Sequence, residues 1–384
     1  MPVQQPGEYK LLECKIMSST GTVARLEDKV IGIQIYENMF SQSILANLTI
    51  VDNTNLVMKM PIIGQEFVAL KIESPEIGEI NFSDNVFAVT GVKAKQEVSN
   101  DAQLYDLSLV STEALRNSRT RISKSYSGSI SDIVTSVLRD ESLIDTNKDC
   151  YTDPTSVLRD ESLIDTNKDC YTDPTSGSRK FIAPNVRPFK FISTITREAV
   201  SKDNGSPHFF FYENCKGFQF RCLDGLYKNA TNGSFVADTE SILESENKQQ
   251  GDMEKNYRRV LKFGISSSND TLVSTMGGML GSNLIKYNIF HKNYQTFDYR
   301  YFETFNQYGR IDKNPIYNNT FVDRRENDMG SFTASKIHLH PTSNDGINDT
   351  QFYDTDIGYS FKDNSVEQWL QSVKSKQLEL AGGM

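Results

Sequence analysis

The sequence has little of what catalysis, metal binding and cross-linking usually require. Its 384 residues include one Trp, four His and five Cys. The cysteines form no CxxC motif and no regular spacing, so they indicate reduced thiols rather than a disulfide framework. They are Cys14, Cys150, Cys170, Cys215 and Cys222.

Long apolar runs and basic stripes are missing as well. No run approaches the roughly 18 apolar residues that cross a bilayer, and residues 1–7 lack the charged and apolar regions of a signal peptide. The 41 basic and 50 acidic residues give a net charge of −9, which disfavours a surface that grips nucleic acid. These absences predict a protein that assembles in the cytoplasm without secretion or stable membrane insertion.

One segment of the chain is duplicated without any change. Residues 135–154 and 155–174 both read TSVLRDESLIDTNKDCYTDP. Solenoid repeats drift because each copy has different surroundings, so identity indicates a recent tandem duplication or a sequence-assembly error. Pro154 would break a helix that continues into the second copy. We therefore expect residues 155–174 to form an exposed excursion with few core contacts, whose deletion leaves stability and assembly nearly unchanged.

The first third of the chain has a β pattern. The 22 Phe and 17 Tyr suit strands, and apolar residues alternate from Val30 to Val110, with one helical turn expected between Asn53 and Met60. Such alternation predicts six or so short strands in a small barrel or sandwich. The alternating residues are Ile31, Ile33 and Ile35; Ile44, Ala46, Leu48 and Ile50; Val68, Leu70 and Ile72; and Tyr105, Leu107 and Leu109.

The rest of the chain mixes the two-residue period of strands with the 3.6-residue period of helices. Helices are predicted after Ser129 and from Pro188, and a hairpin follows over residues 209–222. Residues 229–251 are expected to form a polar surface connection. Further strands are predicted at residues 260–264 and 299–305, with a last helix over 365–380.

This pattern predicts a β-dominated α+β protein with three domains. Residues 1–113 are assigned to an N-terminal β-barrel domain and residues 114–235 to an inserted α+β domain. Residues 236–384 are assigned to a second β domain with a C-terminal helix. Few strands remain to cover that helix, so we expect an incomplete second barrel in which Trp369 is poorly covered or exposed.

Two motifs begin like metal sites, and neither is complete. Asp145-x-Asn147-x-Asp149 starts a calcium loop, but Cys150 and Ser156 stand where that loop needs Gly and Glu. Its copy, Asp165-x-Asn167-x-Asp169 followed by Cys170 and Ser176, has the same defects, and both are interpreted as solvated acidic turns. His338-x-His340 places two imidazoles on one strand face without a nearby third ligand, and only His208 and His291 remain elsewhere.

Signatures of phosphate binding and nucleophilic catalysis are also missing. The glycine-rich segment 277–281 lacks the Lys-Ser/Thr of a phosphate loop and is interpreted as a bend. No GxSxG or HExxH motif is present, and Cys215 and Cys222 are placed in a turn and a strand that a disulfide would not bridge. We predict no catalytic, cofactor-binding or metal-binding residue, and no enzyme activity.

Three groups of motifs follow one another along the chain. They are ENMFS at 37–41, LANLTIVD at 45–52 and PIIGQE at 61–66; PFKFI at 188–192, SPHFFFYE at 206–213 and GFQF at 217–220; and LIKYN at 284–288 with FDY at 297–299. Together they resemble baseplate central-hub proteins of contractile-tailed bacteriophages. The related spike proteins of type VI secretion systems fuse the same hub domains to their needle.

The resemblance implies two tail-tube-like barrels that flank an α+β insertion, and three subunits that form a ring. It implies as partners the chain itself, the cell-puncturing spike and the tail-tube or tube-initiator proteins, in the tail baseplate of a virion. Phage DNA would only pass through the lumen, which an acidic chain suits because it repels phosphate. A host-binding adhesin of the virion and a peptidoglycan-cleaving tail enzyme are the alternatives.

Overall fold

We describe the fold from a computed structural model of the chain. It describes residues 9–18, 21–54, 56–60, 62–74, 78–99, 102–139, 150–151, 169–203, 205–228, 271–288, 292–304, 324, 334–341 and 369–370. Within these residues most of the regular structure is strand, so the predicted β-dominated class is confirmed.

The first part of the chain forms one seven-stranded sheet. Its elements are β1 (Lys10–Met17), β2 (Val23–Arg25), β3 (Val30–Tyr36), β4 (Leu45–Asp52), α1 (Leu56–Lys59), β5 (Phe67–Ser74), β6 (Gly78–Ser99) and β7 (Ala102–Ser111). The strand order is β2-β1-β5-β6-β7-β4-β3, and the sheet curls into a half-barrel. Its two terminal strands, β2 and β3, are connected by a turn in which the Lys29 and Val30 amides donate to the Leu26 carbonyl at 2.9 and 3.1 Å.

The apolar alternation places the core as predicted, with one exception. The predicted positions in β4, β5 and β7 are all buried inside the curl. In β3 the pairing with β4 shifts between Val30 and Gly32. This bulge adds one residue and turns Ile31 outward, where 61% of it is exposed. The prediction that Ile31 shares a face with Ile33 and Ile35 is therefore wrong.

The middle of the chain is an α+β unit with its own core. The predicted capping is confirmed, because the Ser129 hydroxyl accepts the Asp132 amide at 3.2 Å and contacts its carboxylate at 2.5 Å. The elements are α2 (Thr112–Arg119), β8 (Ser125–Gly128), α3 (Ile130–Arg139), β9 (Cys150–Tyr151), β10 (Asp169–Thr172), β11 (Arg179–Ile182), α4 (Pro188–Thr196), β12 (Phe209–Asn214), β13 (Gly217–Cys222) and α5 (Leu223–Lys228).

The end of the second copy lies in this core, which corrects the expectation that residues 155–174 make few core contacts. β10 pairs in parallel with β13 in a four-stranded sheet of order β12-β13-β10-β9. Cys170 is 1% exposed and belongs to the core cluster. Residues 155–168 lie outside the described residues.

The last part of the chain contains α6 (Thr271–Met276), β14 (Gly281–Asn288), β15 (Asn293–Arg300), α7 (Tyr301–Thr304) and β16 (Lys336–Pro341). Its three strands form one sheet of order β15-β14-β16. The strand predicted over residues 299–305 ends at Arg300, because Tyr301 begins a helical turn and is buried.

Trp369 is covered, contrary to the expectation that it would be exposed. It is 6% exposed, and its indole nitrogen donates to the Ser282 hydroxyl at 3.0 Å. Its ring meets that of Tyr299 edge to face at 6.4 Å. The strands β14 and β15 supply the partner surface that the sequence pattern did not reveal.

Several predictions fall on residues that the structure does not describe. They are the connection at 229–251, the strand at 260–264, the first acidic turn at 145–149, His291, and most of the helix at 365–380. The interpretation of the second copy as a solvated acidic turn is wrong at its end, because Asp169 begins β10 and Cys170 is 1% exposed. The three-domain division and the incomplete second barrel remain predictions.

Candidate assembly interface

The histidine and glycine motifs take the positions that the sequence predicts. Within β16, His338 and His340 pair with Leu284 and Lys286 of β14, so both lie on one face of the sheet. The His338 ring packs 6.5 Å from that of Trp369. Gly278 adopts a φ of 96° in the turn before β14. In the described part of the chain no group of three or more acidic, histidine or cysteine side chains is arranged to hold a metal ion, and no helix could cross a bilayer.

A cysteine–histidine–aspartate cluster, which the sequence analysis missed, lies beside the hairpin. Pairing of β12 with β13 brings Cys222 next to residues 206–209. His208 Nδ1 lies 3.9 Å from Asp224 Oδ1 and 3.4 Å from the Ser206 hydroxyl. Burial raises the pKa of the Cys222 thiol, which is 1% exposed. Because the thiolate is the reactive form of cysteine, this raised pKa disfavours nucleophilic attack by Cys222.

Strand β3 is the feature that distinguishes the surface of the first sheet. It is the terminal strand in the sheet order: the Val30 amide at its start donates to the Leu26 carbonyl of the preceding turn, and no strand among the described residues pairs with its outer side. Its seven residues, VIGIQIY, carry no charge. Ile31 and Tyr36 are 61% and 49% exposed. Soluble proteins usually protect such an edge with charge, proline or a covering segment, and the residues of β3 include neither a charge nor a proline.

The loop from β3 to β4 connects this sheet to the α+β unit. Gln42 donates to the Phe189 carbonyl at 3.1 Å and hydrogen-bonds Ser193, both in α4. The Phe40 ring meets that of Phe210 edge to face at 5.5 Å. Each contact joins positions more than a hundred residues apart, so this loop holds β3 in a fixed relation to the helix and the hairpin.

A buried carboxylate completes this junction. Glu213 of β12 is fully buried, and it accepts the Ile44 amide at 3.1 Å. At the hairpin turn, Glu37 accepts the Cys215 amide at 2.6 Å. A carboxylate that satisfies a buried backbone donor is costly to remove, because the donor then loses its partner.

We expect Glu213→Leu to lower the free energy of unfolding by about 2 kcal/mol, since it leaves the buried Ile44 amide unsatisfied. Glu213→Gln retains an acceptor oxygen at the same place and should lose less than half as much. Urea titration monitored by circular dichroism measures both losses. Equal losses in the two variants would show that the hydrogen bond to Ile44 does not stabilise the junction.

A groove of about 600 Å³ opens at the same junction. Phe40 and Phe210 form an apolar wall, and Arg197 is the one charged residue that lines it. Phe40 itself is 75% exposed. The described lining of the groove includes no carboxylate, histidine or cysteine.

Comparison with known proteins gives distant structural likeness only. No family model and no curated protein matches the sequence. A tail protein from Neisseria meningitidis MC58 is 8% identical with a TM-score of 0.39, over 88% of this chain and 72% of that one. The 43 kDa tail protein of prophage MuSo2 from Shewanella oneidensis is 8% identical with a TM-score of 0.34, and the alignment covers 61% of this chain and 58% of that one.

A third likeness is to the E. coli type VI secretion component c3393, which resembles the T4 tail proteins gp27 and gp5. It is 13% identical with a TM-score of 0.26, and the alignment covers 57% of this chain and 47% of c3393. At these values the likeness alone assigns no function. The matched structures nevertheless belong to the two classes that the sequence resemblance predicts, phage tail proteins and type VI secretion proteins.

Proposed function

We propose that the protein is a structural, non-enzymatic subunit of a phage tail, which forms the central hub of the baseplate as a homotrimeric ring. The observation that carries this proposal is the uncharged outer edge of β3, fixed in place by its junction with the α+β unit. Pairing of β3 with a neighbouring subunit would satisfy its outer backbone groups and cover Ile31 and Tyr36. Repeated around a threefold axis, such a contact closes a ring.

The ring would join the cell-puncturing spike to the tail tube or its initiator proteins. In this arrangement the curled first sheet and a second barrel would flank the α+β unit. The net charge of −9 suits a passage for DNA, because an acidic lumen repels phosphate and holds no strand in place. The order of the three motif groups along the chain supports the same assignment.

The edge contact is tested by adding charge to β3. We expect Ile31→Lys combined with Tyr36→Lys to convert a trimer into monomers, because charged edges resist pairing. Both side chains are exposed, so the free energy of unfolding of the monomer should change by no more than about 0.5 kcal/mol per site. Sedimentation velocity measures the assembly.

A matched control separates the edge from a general effect of charge. Ile63 is 66% exposed and lies in the loop before β5, which three strands separate from β3 in the sheet order. Ile63→Lys should leave the trimer intact. Equal dissociation by Ile63→Lys, or a trimer that survives both β3 substitutions, would contradict the proposed contact.

A further inference from the structure

The end of the second copy of the duplicated segment forms a strand in the α+β core. β10 lies between β13 and β9 and pairs in parallel with both. We call this place the central slot. Inside it Cys170 is 1% exposed and Thr172 is 9% exposed. The slot is therefore filled by specific side chains, not by backbone pairing alone.

The residues that follow β10 fix this strand in position through hydrogen bonds to neighbouring elements. Asp173 accepts Arg221 Nη1 at 2.7 Å and the Cys222 amide at 2.8 Å. Thr175 accepts the Ser131 amide at 3.0 Å through its hydroxyl. Every one of these contacts is made by a residue between 169 and 176.

The first copy carries the same residues in the same order. Residues 149–156 and 169–176 both read DCYTDPTS, and the identity extends over 135–156 and 155–176. Part of the first copy already lies next to the slot, because Cys150 and Tyr151 of β9 pair with Cys170 and Tyr171. A displacement of one strand spacing, about 4.8 Å, separates the two copies at this point.

Because their sequences are identical, the two copies would bring the same side chains to the slot and differ in the chain that connects them. From the end of α3 at Arg139 to the start of β10, 29 residues intervene, whereas 9 would intervene if Asp149 began the strand. The three-halves power law for loop closure makes the longer connection about sixfold less favourable. If the first copy fills the slot, residues 157–176 must instead form a loop before Gly177. The first cost therefore favours the first copy, and the second cost favours the second copy.

We propose that the two copies are interchangeable occupants of the central slot, so that the first copy replaces the second whenever the second is unfavourable. The replacement preserves the buried cysteine, the carboxylate facing Arg221 and the threonine facing Ser131. It also predicts that deletion of residues 155–174 is tolerated although Cys170 lies in the core, because the remaining copy fills the slot.

Thiol protection in the full-length protein tests this proposal, because trypsin separates the two copies. Cys150 falls in DCYTDPTSVLR and Cys170 in DCYTDPTSGSR, which differ in mass. After a native pulse of iodoacetamide, Cys170 should be protected like the buried Cys222, and the labelling of Cys150 in the same sample is the reference for the copy outside the slot. In Cys170→Asp, Cys150 should become protected to the level of Cys222. A Cys150 that labels as before would overturn the proposal.

Melting temperatures of four variants give a second readout. Cys150→Asp and Cys170→Asp should each lower the melting temperature only slightly, and the double variant should lose much more than the sum of the two. Cys222→Asp is the matched control, since this buried cysteine of β13 has no copy and should lose as much as the double variant. If Cys170→Asp alone fails to fold or melts like the double variant, the slot has a fixed occupant and the proposal is wrong.

Discussion

Replacing Gly217 with alanine will disrupt the four-stranded sheet, and we expect a loss of about 3–5 kcal/mol in the free energy of unfolding. Gly217 begins β13 with a φ of 132°, and a Cβ placed there would lie 1.9 Å from the Asp169 carbonyl oxygen. Backbone, not a flexible side chain, blocks this position. The strain of the φ angle and the forced displacement of β10 therefore add together.

Gly21→Ala is the matched control for this prediction. Its φ of 82° is also unfavourable for alanine, but a Cβ there would meet nothing within 4 Å. We expect a loss of about 1–2 kcal/mol from the backbone conformation alone. Urea titration of both variants measures the difference. Similar losses would show that the close approach of β10 to β13 does not stabilise the unit.

Truncation of Trp369 to alanine should cost about 3–5 kcal/mol in the unit built on β14 and β15. The side chain packs on Leu284, Tyr299 and Tyr301 in one apolar cluster. Removal of the indole leaves a cavity. It also leaves the hydroxyl of Ser282, which is fully buried, without the hydrogen bond that the indole nitrogen donates. Thermal unfolding followed by circular dichroism measures the effect without the fluorescence of the missing indole.

Trp369→Phe separates packing from hydrogen bonding. It retains a ring against Tyr299 and removes the indole donor, so we expect a loss of about 1 kcal/mol. In the unmodified chain, Trp369 is the only Trp, and its emission should be blue-shifted and weakly quenched by acrylamide. Red-shifted, readily quenched emission would contradict the buried position.

Local pattern was sufficient to predict much of the fold. Alternation identified the buried faces of β4, β5 and β7, because successive strand residues face opposite sides of a sheet. Ser129 and Pro188 marked the starts of α3 and α4 because capping and the fixed φ of proline are properties of a few neighbouring residues. These elements depend on information that lies within one short segment.

The remaining features depend on residues far apart in the chain. A bulge changed the direction of Ile31, and β14 supplied the cover for Trp369, neither of which a local period encodes. The junction was missed for the same reason: Ile44 and Glu213 are 169 positions apart. The slot of Cys170 was missed because two identical copies give identical predictions, and only their pairing partners distinguish them.

The mass of the full-length protein in solution, measured by light scattering over a range of concentrations, tests the proposed hub most directly. The chain has a mass of 43.4 kDa. We predict a species of three times that mass whose particle images show threefold symmetry. A mass that stays at 43.4 kDa up to the highest concentration would contradict the ring and favour the adhesin or the cell-wall enzyme.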